Sequence, residues 1–75
     1  MTKKELIKEL VQESLKLLAE LGLKEMRLTD FKDYTHSWLG FGYDVYFKHR
    51  DSNIEYVVGY DDDKNFIYIK RTDYS

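Results

Sequence analysis

Along the first third of the chain, apolar residues recur at helical spacing. At about 100° per residue Leu6, Ile7, Leu10, Val11, Leu15, Leu17, Leu18 and Leu21 fill about half of a helical circumference. Glu5, Lys8, Glu9, Gln12, Lys16 and Glu20 occupy the other half. The spacing predicts an amphipathic helix from Thr2 to Leu21. Thr2 and Glu5 form a capping-box pair, able to satisfy backbone N–H groups that a helix start leaves free. Gly22 suits the left-handed position just past the helix end, and Leu23 is placed to meet Leu18 in a Schellman arrangement.

The period then shortens to two. In Leu23 to Phe31, Met26 and Leu28 alternate with Glu25, Arg27 and Thr29, which predicts a strand buried on one face. Between Asp30 and Gly42 no period dominates, and the segment reads as a loop with a short helical turn or as an irregular strand. Three further runs, Tyr43 to His49, Ile54 to Tyr60 and Phe66 to Arg71, are rich in β-branched and aromatic residues and joined by the polar turns Arg50–Asn53 and Asp61–Asn65. The expected fold is α+β in a single domain over residues 1–75: one N-terminal amphipathic helix packed on an antiparallel sheet of about four strands, an α-β-β-β-β meander.

Strand alternation assigns faces. Phe41, Tyr43, Val45 and Phe47 oppose Asp44, Tyr46 and Lys48; Ile54, Tyr56, Val58 and Tyr60 oppose Glu55 and Val57; Ile67 and Ile69 oppose Phe66, Tyr68 and Lys70. One helix covers one face. The other is then expected to show Tyr46, Val57 and Tyr68 among Lys48, Glu55 and Lys70, an apolar centre with a charged rim.

Composition narrows the class. Seventy-five residues suffice for one small core and leave little room for an enclosed active-site cavity. The chain has no cysteine, so neither disulfides nor thiolate zinc ligands are available, and it carries no apolar run of membrane-spanning length. A soluble, cytoplasmic protein with no cofactor is expected. The net charge of −2 disfavours broad phosphate binding, so direct contact with nucleic acid is not the leading expectation. Seven Tyr, four Phe and one Trp are abundant for this length and serve equally at the edge of a core and in a binding face.

The candidate chemistry is sparse. Asp61, Asp63 and Asn65 match the first, third and fifth positions of a calcium loop, but Phe66 replaces its glycine and Thr72 its bidentate glutamate, so no metal site is assigned. Asp and Asn favour turns in their own right, and an acidic hairpin tip is also suited to a basic partner surface. Asp33, His36 and Ser37 supply the residue types of a triad without a nucleophile-elbow pattern, and His36 with His49 matches no zinc spacing. No catalytic residue is named. Trp38, followed by Phe41 between Gly40 and Gly42, is either a lid on the small core or an aromatic anchor for a partner.

In size and composition the chain resembles the short, cysteine-free, Tyr- and Asp-rich proteins of bacteriophages and mobile elements, anti-CRISPR proteins among them. That resemblance implies a protein that inhibits or redirects a larger one, and it carries no individual residue over. The expected function is accordingly a non-enzymatic protein-binding module, with Tyr60, Asp61, Asp62 and Asp63 supplying charge and Trp38, Tyr46, Val57 and Tyr68 supplying anchors. Its partner would be a larger protein, including one whose nucleic-acid site the acidic turn could occupy. A homodimer through the apolar face is a further expectation, as is the alternative of a single-stranded nucleic-acid binder using the same aromatics.

Overall fold

The computed structural model describes residues 2–35 and 42–73, with the Asp73 side chain excepted. Helix α1 spans Lys3–Glu20, followed by strands β1 (Met26–Asp33), β2 (Tyr43–His49), β3 (Ile54–Tyr60) and β4 (Phe66–Asp73). The strands form one antiparallel sheet in the order β1-β2-β3-β4. This is the α+β meander expected from the pattern. The segment holding His36, Ser37, Trp38 and Phe41 lies outside the described residues, and so do the expectations placed on it.

Both ends of α1 follow from local chemistry. Thr2 is the N-cap, its Oγ1 accepting the Glu5 N–H at 3.2 Å. At the other end Gly22 adopts φ +82°, its N–H donates to Ala19 O, and the Leu23 N–H donates to Leu18 O at 2.9 Å. Those two bonds close a Schellman motif and satisfy carbonyls the helix leaves free.

The core lies between α1 and one sheet face. Leu10 and Leu18 of the helix meet Val45 and Phe47 of β2 and Val58 and Tyr60 of β3, all at most 2 % exposed. Met26 and Phe31 of β1 and Ile69 of β4 extend that cluster to the outer strands, and Tyr43 continues it along β2. The helix brings one hydroxyl into this apolar layer. Ser14 is fully buried, its Oγ donating to Leu10 O at 2.6 Å and lying 2.9 Å from the Tyr60 hydroxyl. Because the single Ser14 proton is spent on the carbonyl, Tyr60 must be the donor of the second bond.

Two register shifts change the expected faces. One falls between Leu28 and Asp30 of β1, so Thr29 is the extra residue and Phe31 returns to the helix side opposite Val45. The segment from Asp30 to Asp33 is therefore strand, not loop. The other pairs Gly59 with Tyr68 but Tyr60 with Phe66, leaving Ile67 as the extra residue of β4. Phe66 consequently shares the helix side with Tyr60, their rings edge to face at 6.4 Å, instead of sharing a face with Tyr68. Leu28, expected on the buried face, is 44 % exposed near the sheet edge.

Gly42 stands just before β2. It has φ +110°, and a Cβ there would run into the Tyr60 carbonyl, so the chain passes closer to β3 than any side chain allows.

Candidate functional site

Three cross-strand rows make up the sheet face turned away from α1. They are Asp30–Tyr46–Val57–Lys70, Lys32–Asp44–Gly59–Tyr68 and Arg27–Lys48–Glu55–Thr72. Tyr46, Val57 and Tyr68 stand on it together with Lys48, Glu55 and Lys70, as strand alternation implies. Val57 is only 6 % exposed, however, so the surface that a partner meets is built by the tyrosine rings and not by the valine between them.

A hydrogen bond and close side-chain contacts hold those rings in place. The Tyr68 hydroxyl donates to Asp44 Oδ1 at 2.6 Å, and its ring lies over Gly59, where a Cβ would collide with it. Tyr34 stands beside the Tyr46 hydroxyl, and the Lys32 Nζ sits 5.1 Å from the centre of the Tyr46 ring. Burial raises the Tyr68 hydroxyl from its ordinary 10.0 to about 12, helped by the bond to Asp44 and its charge. Burial, then the contact with Tyr34, likewise pushes Tyr46 upward.

The acidic groups of this face are engaged within the chain. Asp44 accepts from Tyr68, Glu55 Oε2 accepts from Thr29 Oγ1 at 2.9 Å, and Asp30 Oδ1 accepts the Phe31 N–H. The face thus shows tyrosine rims and cationic tips, although the chain as a whole is acidic.

The aspartate turn belongs elsewhere. Asp61 Oδ1 accepts the backbone N–H groups of Asp63 at 2.9 Å and of Asn65 at 2.8 Å, while Oδ2 accepts from Asn65 Nδ2. The Lys64 N–H donates to Asp61 O, the Asp61 N–H to Asn65 O, and Lys64 takes φ 67°. This is a type I turn closed by a left-handed residue, the usual three-residue hairpin connection. The Asn65 N–H, above all, lowers the Asp61 carboxyl below its ordinary value. Oxygens of Asp61, Asp62 and Asp63 come within 4.8 Å of one another, but the best-placed of them already serve the turn.

The expected binding residues therefore divide. Asp62 and Asp63 are exposed beside the helix start, Lys64 reaches Glu9 at 3.7 Å, and Asp62 shares a shallow depression with Thr2, Lys3 and Leu6. Tyr46 and Tyr68 lie on the opposite side of the sheet. Tyr60 is 2 % exposed with its hydroxyl on Ser14, which corrects its expected place at a partner surface: it is a core residue. Trp38 lies outside the described residues. Tyr34, Lys32 and Asp44 were not anticipated as part of the tyrosine network. Asp44 and Tyr46 share a strand face in the alternation, but the bond to Tyr68 spans β3 and has no sequence signal.

No family model, curated protein or solved structure matches this chain. No described helix is long and apolar enough to cross a membrane.

Proposed function

We propose that the chain is a small, non-enzymatic binding module that docks its open sheet face onto a larger protein and thereby modulates it. The supporting observation is the tyrosine surface of Tyr34, Tyr46 and Tyr68, fixed by the bond from Tyr68 to Asp44, which α1 leaves uncovered. Tyrosines held in one rotamer lose little entropy on binding and suit the centre of an interface. Arg27, Lys48 and Lys70 around them favour an acidic rim on the partner, since the carboxylates of the same face are already engaged. Inhibition of a host protein, as the resemblance to phage and mobile-element proteins implies, is one form this takes.

Photo-crosslinkers placed at Lys70, on the open face, and at Gln12, on the exposed side of α1, test the reading in extract. Crosslinking to one protein from position 70 alone, reduced by on the order of thirtyfold in Tyr46→Ala at unchanged Tm, is expected. Equal crosslinking from both positions, or none from position 70, removes the open face as the docking site. Asp62→Ser with Asp63→Ser, run alongside, reports whether the turn takes part.

Single-stranded nucleic acid is the second reading, favoured by exposed tyrosines flanked by lysines on an antiparallel sheet. Oligonucleotide titration at low salt with no binding tighter than about millimolar eliminates it.

A further inference from the structure

At the β1 edge of the sheet a depression of about 250 Å³ is lined by Arg27, Leu28, Thr29, Lys48, His49 and Arg50. Three of the six carry a permanent positive charge and none is a carboxylate. Arg27 and Lys48 are directly paired across β1 and β2, an arrangement of like charges that costs stability in a sheet. Among the described residues no ion pair is made to Arg27, Lys48 or Arg50. The nearest acid in their row, Glu55, accepts from Thr29. His49 accepts the Asp51 N–H at Nδ1, so its remaining contact is as a donor through Nε2. Apart from Leu28, and from Thr29 whose proton goes to Glu55, the lining is cations and the His49 donor, which in a chain otherwise acidic is matched by a small ligand with several acceptor oxygens and at least two negative charges.

We infer that this depression binds a phosphate group of that kind, a phosphomonoester or a pyrophosphate, with Arg27 and Arg50 offering planar two-donor contacts and Lys48 a point charge. The site shares Arg27 and Lys48 with the rim of the docking face but does not rest on the protein-docking reading.

Pyrophosphate, titrated into labelled protein and followed by backbone amide NMR at constant ionic strength, tests it. Saturable shifts centred on residues 27–29 and 48–50 are expected, weakened about tenfold or more in Arg27→Gln with Lys48→Gln and unchanged in Lys70→Gln. The same spectra report that each variant is folded. Shifts that never saturate, that chloride reproduces, or that Lys70→Gln reduces equally overturn the site in favour of a diffuse surface field. Oligothymidylate binding without pyrophosphate binding also overturns it and transfers these cations to a nucleic-acid strand. Arg27→Gln in phosphate-free buffer supplies an independent reading: an unchanged or higher Tm is expected from relieving the like-charge pair, and a lower one would assign the arginine to holding the strand instead.

Discussion

Ser14 and Tyr60 show how one buried hydroxyl determines the role of another. The Ser14 proton goes to Leu10 O, so its oxygen is the acceptor on which the Tyr60 hydroxyl depends. Ser14→Ala strands that hydroxyl in the core and is expected to cost about 1–3 kcal/mol, whereas Tyr60→Phe leaves Ser14 satisfied and costs about 1 kcal/mol. In the double variant the two losses do not add, because nothing is left unpaired; urea unfolding of the four proteins measures this. The other tyrosines make an alkaline prediction. Tyr43, Tyr46, Tyr60 and Tyr68 all have folded values above their ordinary 10.0, Tyr68 at about 12, so the fold holds protons that the unfolded chain releases. Their contribution is fully present below pH 10 and is lost as pH rises toward 12. A thermal-melting series over that range is expected to show a flat Tm followed by a fall, and Tyr68→Phe to make the fall shallower.

The hairpin between β3 and β4 is governed by one of its three aspartates. Asp61 receives three hydrogen bonds from Asp63 and Asn65, while Asp62 and Asp63 spend no carboxylate oxygen on the turn in any described bond. Asp61→Ala is expected to lower Tm, and Asp62→Ala or Asp63→Ala to leave it equal or raise it by relieving repulsion. Equal losses at all three would show that the turn is held by something other than the Asp61 cap. Because the turn holds the Asp61 carboxyl below its ordinary 3.8, its contribution is present above that pH and fades as pH falls through the lowered value. The bulge beside this turn matters to both sheet faces. It moves Phe66 to the helix side against Tyr60 while Tyr68 remains over Gly59 on the other.

At the scale of the molecule, one helix on one sheet accounts for the 19 Å short dimension. Nothing in the described chain covers the second sheet face, and Tyr68 bonded to Asp44, with the Tyr46 and Tyr34 hydroxyls beside each other, lines it where a two-sided core would be apolar. A face satisfied in this way does not need a second copy to be stable. Light scattering across a dilution series is expected to give the monomer mass of 9.1 kDa. Twice that mass, returning to 9.1 kDa on Tyr46→Lys, would place a second copy on the face assigned here to a foreign partner.

Periodicity and local capping residues determined α1, its two caps, the three later strands and the placing of Tyr46 and Tyr68 on the open face, because these follow from interactions within a few residues and from the two-residue repeat of a pleated strand, while the order of the strands waited on the sheet itself. What lay beyond them is non-local. Thr29 and Ile67 as extra residues and Phe66 on the helix side depend on which residue stands across the ladder, whereas alternation already set Tyr60 on the helix side with Val58. The bond from Tyr68 to Asp44 and Arg27 standing beside Lys48 depend on the ladder as well. An antiparallel register that shifts by one residue reassigns every face beyond it, and only the packed sheet, with α1 filling the space above Val45 and Val58, selects among the registers that the pattern allows.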